Sequence, residues 1–102
     1  MSQGVKDLVE KLIKENPIMI FSKSYCPYCK RAKGVLESLN KKYEVIELDT
    51  ESKGSDIQDY LEEKTKQNTV PNIFIGGQHV GGCDDLLAAK ENGSLNKMIA
   101  AL

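Results

Sequence analysis

The sequence predicts an α/β domain with a mixed four-stranded sheet covered by helices on both faces. Three observations lead there. Helical-period segments alternate with short apolar runs, a strand-helix-strand unit fills residues 18–48, and Gly76-Gly77 joins two further apolar segments.

Val5, Leu8, Val9, Leu12 and Ile13 recur at helical spacing, and Asn16-Pro17 stops that helix. Ile18-Met19-Ile20-Phe21 follows as a contiguous apolar run, which predicts a strand covered on both faces. A helix over Lys30 to Asn40 carries the stripe Ala32, Val35, Leu36 and Leu39, and Tyr43 to Leu48 reads as the next strand. A strand-helix-strand order makes those two strands parallel. Ser55-Asp56-Ile57-Gln58 has the form of a capping box, opening a helix that buries Ile57, Tyr60 and Leu61 and ends near Thr65. Asn72 to Ile75 and Gln78 to Val80, joined by Gly76-Gly77, predict a tight antiparallel hairpin. Asp84 or Asp85 is placed to cap a helix through Leu87, and Leu95, Met98, Ile99 and Leu102 mark a last helix after Gly93.

The 102 residues suit one domain, 1–102, with a single core. Basic and acidic side chains number 14 and 15, so no surface is expected to bind nucleic acid. The apolar run Ile18 to Phe21 is too short for a signal-peptide core or a membrane span, and a soluble intracellular protein is expected. Lipidation is not expected, because Gly4 does not follow Met1 and Cys83 is far from the C-terminus. Asn92-Gly93-Ser94 matches a glycosylation sequon but reads as a helix-ending turn.

Three cysteines make an odd set, unlike a secreted disulfide scaffold. Cys26-Pro27-Tyr28-Cys29 lies at a strand-to-helix turn, where redox chemistry and metal binding are both open readings. Zinc would need four ligands, and beyond the pair only Cys83 and His79 remain, the latter in a strand without ligating neighbours. The redox reading therefore leads, with no metal expected. At the N-cap, Cys26 faces the unpaired N–H groups of the first turn and the positive end of the helix dipole, which favour a thiolate. Pro27 suits the first helical position, Lys23 brings a cation towards the sulfur, and helix terminus, hydrogen bonds and cation have to act together. Cys29, one turn in on the same face, is close enough for a disulfide and further from solvent.

Two more segments carry chemistry. Thr69-Val70-Pro71 stands immediately before a strand. In Gly81-Gly82-Cys83-Asp84-Asp85, two glycines let a ligand approach the backbone, the following N–H groups suit a carboxylate, and an aspartate can take an ammonium. Locally, a glycine turn before a capped helix explains that segment equally well.

Cys-Pro-Tyr-Cys, Thr-Val-Pro and Gly-Gly-Cys-Asp-Asp in this order resemble the glutaredoxins, and Lys23-Ser24-Tyr25, Glu47-Leu48-Asp49 and Asn72-Ile73-Phe74-Ile75 extend the resemblance over nearly the whole chain. Thioredoxin proper fits less well, since Tyr25 and Pro27-Tyr28 replace its tryptophan and Gly-Pro. The resemblance implies a thioredoxin-like three-layer sandwich, a cis Pro71 opposite Cys26, and glutathione as co-substrate. It implies Lys23 and Gln67 for the glycine carboxylate, Thr69, Val70 and Pro71 for the cysteinyl part with the Val70 backbone as partner, and Gly82, Cys83, Asp84 and Asp85 for the γ-glutamyl end. Tyr28 would line the groove. Asn68 stands where many members carry arginine and Asp84 where serine or threonine is frequent, which alters the charge offered to glutathione.

The implied chemistry is reduction of glutathionylated proteins and other disulfides by a cytoplasmic monomer, Cys26 as nucleophile and Cys29 as resolving thiol. Glutaredoxin potentials near roughly −200 to −230 mV let such turnover run on the glutathione pool. Two rivals share the fold. One is a carrier of a [2Fe-2S] cluster bridged between subunits by the active cysteine and glutathione, against which Pro27 argues; the other is a thiol peroxidase. Cys83 is either a buried small residue that supplies its N–H or an exposed thiol open to oxidation.

Overall fold

A computed structural model of the chain describes residues 2–102. The order of elements is α1 (Gln3–Glu15), β1 (Ile18–Ser22), α2 (Pro27–Ser38), β2 (Glu44–Glu47), α3 (Gly54–Thr65), β3 (Asn72–Ile75), β4 (Gln78–Gly81), α4 (Cys83–Asn92) and α5 (Ser94–Ala100). The strands form one sheet in the order β2-β1-β3-β4, with β1 parallel to β2, and β3 antiparallel to both β1 and β4. This is the mixed, doubly covered sheet that the periods predict.

Every residue of β1 is buried, and its side chains alternate between two cores. Ile18 and Ile20 join Ile73 and Ile75 of β3 beneath Ala32 and Leu36 of α2, Leu86 of α4 and Leu95 of α5. Met19 and Phe21 join Phe74 beneath Val5, Val9 and Ile13 of α1 and Ile57 and Leu61 of α3. Phe21 and Phe74 meet edge to face, with ring centroids 5.9 Å apart. Burying each such large side chain contributes about 1.5–3 kcal/mol, so the sheet is the least movable part of the molecule.

Several boundaries differ from the expected ones. α2 begins at Pro27, earlier than Lys30, and ends before Asn40, which takes a left-handed φ of 56° that stops the helix. β2 starts at Glu44, not Tyr43, although Leu48 N–H still reaches the Ser22 carbonyl at 2.8 Å. The box at Ser55-Asp56-Ile57-Gln58 is not the start of α3. Gly54 already lies in the helix, Lys53 makes no side-chain cap, and the Gln58 amide donates to the Asn68 carbonyl instead. The reason is steric: α3 enters against the backbone at Leu48, where a Cβ on residue 54 would stand 1.8 Å from the Leu48 carbonyl oxygen. Nor does Asp84 or Asp85 occupy the N-cap of α4. Gly82 takes that position, and Asp85 accepts its N–H at 2.9 Å.

Gly54→Ala is expected to destabilise the protein by about 2 kcal/mol or more, because the obstacle is backbone and the core behind it cannot yield. Urea unfolding would show a lower midpoint; an unchanged midpoint would mean that the α3 entry relaxes freely.

Candidate active site

Lys23, Ser24 and Tyr25 link the buried end of β1 to the start of α2. Two anchors hold this link. Ser24 N–H donates to Asp49 Oδ1 at 2.9 Å and its hydroxyl donates to Asp49 Oδ2, while Cys26 N–H donates to the Lys23 carbonyl at 3.1 Å. The two bonds from Ser24 hold the Asp49 carboxyl below the usual aspartate range. Cys26 is thereby fixed as the N-cap, with extended backbone, and Pro27 follows where no N–H is needed. Cys29 N–H donates to Cys26 Sγ at 3.3 Å, so the cap on α2 is the sulfur itself. From its other side, Cys26 Sγ faces the Val70 carbonyl oxygen at 3.8 Å, and the Val70–Pro71 bond is cis.

The three thiols differ in access. Cys26 is 9% exposed, Cys83 5% and Cys29 fully buried. Burial pushes the Cys29 thiol up, with the neighbouring Cys26 adding to the effect and the Ser22 hydroxyl opposing it. Burial also raises Cys83, and Asp84 reinforces the rise while Arg31 offsets part of it. Cys83 thus has the packing position, with its backbone turned to the groove.

Beside Cys26 lies an open groove of about 460 Å³, within the range of small-molecule sites. Tyr28 comes from the first turn of α2, Gln67, Thr69, Val70 and Pro71 from the segment before β3, and Gly82, Cys83, Asp84 and Asp85 from the head of α4. Nine of the ten residues expected to contact glutathione therefore share one wall. Lys23 is the exception: it stands outside the lining, beside Asp49, whose carboxyl feels its charge.

Not every polar group there is free. Gln67 Nε2 donates to the Thr69 carbonyl at 3.1 Å and to the Pro71 carbonyl at 3.0 Å, which commits both of its protons. The opposite amide orientation would set an oxygen against two carbonyls, so Gln67 braces the loop and offers no N–H to an anion. Asp85 is committed to Gly82 N–H. Among the described residues, nothing accepts from the N–H groups of Val70 or Cys83, and Asp84 makes no hydrogen bond or ion pair.

Sequence reasoning passed over the polar residues beneath Cys29. Ser22 Oγ donates to Glu47 Oε2 at 3.0 Å, and Lys33 Nζ pairs with Glu47 Oε1 at 2.7 Å. The available signal was strand parity: Ser22 is in phase with Ile18 and Ile20, which face α2. His79 Nε2 lies 2.8 Å from Asn72 Oδ1 and its ring packs near Phe74, a structural setting. Among the described residues, no helix is long and apolar enough to cross a membrane.

A doubly covered mixed sheet, with Cys-x-x-Cys at a helix start and a cis-proline loop facing the first sulfur, defines a thiol–disulfide oxidoreductase of thioredoxin fold. Comparison with known proteins narrows the class. The glutaredoxin family model matches residues 18–80, and the chain belongs to the glutaredoxin family. It is 72% identical to glutaredoxin-1 of Rhizophagus irregularis over 100% of both chains. It is 51% identical to glutaredoxin-2 of Schizosaccharomyces pombe, over 100% of this chain and 93% of that one. A crystal structure of a buckwheat glutaredoxin–glutathione complex superposes with a TM-score of 0.95 at 42% identity, covering 97% of this chain and 90% of that chain.

A thiol raised by burial stays neutral, and so unreactive, until the pH climbs further than for a free cysteine. Brief alkylation of the native reduced protein at neutral pH should label Cys26 alone. Labelling of Cys29 and Cys83 should appear only under alkaline conditions, and peptide mass spectrometry that found all three modified together at neutral pH would contradict this ordering.

Proposed function

We propose that this glutaredoxin reduces protein–glutathione mixed disulfides, and other protein or small-molecule disulfides, with glutathione as co-substrate. The observation that carries the reading is the position of Cys26 Sγ, 3.8 Å from the Val70 carbonyl at the edge of a groove that suits glutathione's charges. Glutathione needs two anion sites and one cation site. Lys23 serves the glycine carboxylate, with the Tyr28 ring beside it. The free Val70 N–H pairs with the cysteinyl part, held by the Thr69-Val70-Pro71 loop that Gln67 braces. The unpaired N–H of Cys83, at the head of the ten-residue helix α4, takes the γ-glutamyl carboxylate, and Asp84 takes the ammonium. Gly82 lets the ligand approach, and Asp85 acts indirectly by holding Gly82.

The Cys26 thiolate attacks the glutathionyl sulfur, the substrate leaves as a thiol, and glutathione remains on Cys26. A second glutathione then releases oxidised glutathione. With a disulfide that carries no glutathione, Cys29 attacks Cys26 of the mixed disulfide instead, and glutathione later reduces the Cys26–Cys29 bridge. One chain supplies all these groups, so the protein works as a monomer. The need for reduced glutathione fits a reducing compartment such as the cytoplasm.

In a glutathione-reductase-coupled assay on a glutathionylated protein, Cys26→Ser should abolish turnover and Cys29→Ser should retain it. Substantial activity in Cys26→Ser would sink the mechanism. Lys23→Ala should raise KM for glutathione about tenfold, the loss of one charge-assisted hydrogen bond; an unaltered KM would remove Lys23 from the glycine end.

A further inference from the structure

We propose that Thr65 is a positioning residue for the Val70 backbone, its hydroxyl oxygen being the point at which the loop before β3 is fastened to α3. The inference rests on the reading above that the Val70 N–H pairs with the cysteinyl part of glutathione.

Among the described residues, nothing accepts from the Val70 N–H, and the Val70 carbonyl oxygen meets only Cys26 Sγ, at 3.8 Å. Its place in the groove is therefore set by its neighbours. Gln67 Nε2 holds the carbonyls on either side of Val70, that of Thr69 at 3.1 Å and that of Pro71 at 3.0 Å. Such a clamp positions nothing unless Gln67 is itself anchored. Gln67 N–H donates to Thr65 Oγ1 at 3.2 Å, and from the far end of the loop Asn72 Nδ2 donates to the same oxygen at 3.4 Å. Thr65 is the last residue of α3, and its hydroxyl gives its one proton to the Leu61 carbonyl at 2.7 Å. A single oxygen thus gathers both ends of the segment that carries Val70 onto the end of a helix.

Proton counting fixes the directions. With its proton spent on Leu61, the Thr65 oxygen can only accept, so Asn72 turns its amide nitrogen to Thr65 and its amide oxygen away. His79 Nε2, 2.8 Å from Asn72 Oδ1, then carries the hydrogen of that bond. Asn72 is fully buried and held from both sides, since an unpaired amide there would be costly. Ending the helix does not explain the Thr65 hydroxyl. Lys66, with a left-handed φ of 66°, already closes α3 through its N–H to the Glu62 carbonyl at 2.8 Å.

Without the hydroxyl, Gln67 and Asn72 each lose an acceptor, and the Val70 N–H loses its alignment with the ligand. The Cys26 sulfur keeps its own setting, because its N-cap position and the Cys29 N–H belong to α2. The loss falls on capture of glutathione and leaves the thiol as reactive as before.

Thr65→Val keeps the shape of the side chain and removes the acceptor, whereas Thr65→Ser keeps the oxygen. With a glutathionylated peptide as the varied substrate at fixed glutathione, Thr65→Val should raise KM about tenfold, the effect of leaving a polar group unpaired. Its kcat, and its rate of Cys26 alkylation by iodoacetamide, should match the wild type, and Thr65→Ser should restore KM. An unaltered KM in Thr65→Val, a KM that stays raised in Thr65→Ser, or an alkylation rate that falls in step with turnover overturns the assignment. Wild-type protein that removes glutathione from no glutathionylated peptide would instead overturn the functional reading. Should Thr65→Val fail to fold, Thr65→Ala removes the same oxygen from this half-buried position without demanding space and carries the same outcomes.

Discussion

Burial of β1 on both faces is the constraint on which the site depends. The strand cannot shift along its axis without driving Ile18 and Ile20 out of one core and Met19 and Phe21 out of the other. Its C-terminal end is therefore a fixed point, and every reactive group is measured from it. The link to α2 begins there, the parallel partner β2 brings Glu47 and Asp49 alongside, and the antiparallel partner β3 brings Pro71 and Val70 up to Cys26. Chemistry needs reacting atoms held to fractions of an ångström. Here that precision comes from two hydrophobic cores, well behind the sulfur.

From that fixed point the two active thiols diverge. Cys26 sits outside the first turn of α2 and accepts a backbone N–H, a bond that strengthens when the acceptor is charged. Cys29 sits inside the same turn, sealed from solvent, where a charge is opposed by burial. A single helix start thus sets the access of each sulfur: the outer one reaches the surface and the inner one is sealed behind it. The cost is an inner thiol that gives up its proton reluctantly.

Much of this was legible in the chain because local signals and tertiary demands agree. The run Ile18 to Phe21 is apolar on both faces since both faces are covered, the Gly76-Gly77 hairpin needs positive φ at both residues and has it, and Cys26-Pro27 marks a helix start in residue types alone. Misreadings occur where a long-range contact overrules a local pattern. Ser55 to Gln58 looks like a cap, but the contact of Gly54 with Leu48 decides where α3 begins. Gln67 looks like an anion ligand until both its protons are found on backbone carbonyls only two and four residues away. Strand order is likewise invisible locally, because β1 meets β3 across two intervening helices and a strand. Ser22, Glu47 and Lys33 are unremarkable singly and meet only once parallel pairing of β1 and β2 brings Glu47 to Ser22 and within reach of Lys33 on α2.

The groove shows a division of labour among its polar groups. Ser24 with Asp49, Gln67 with two carbonyls, and Asp85 with Gly82 are satisfied within the chain, and each fixes a stretch of backbone that forms a wall. Such groups have little left to give a ligand, since taking them would leave the wall unpaired. Among the described residues, what remains free in the groove is the Val70 N–H, the Cys83 N–H and the Asp84 carboxylate, while Lys23 stands outside the lining, beside Asp49. Asn68 is neutral, and Asp84 adds a carboxylate in the first turn of α4. On the glutathione reading proposed above, a ligand with one carboxylate at one end and an ammonium beside a carboxylate at the other would enter in one direction. That direction would carry its sulfur past Val70 to Cys26, so on this reading the polarity of the groove, more than its depth, would select which disulfide the thiol meets.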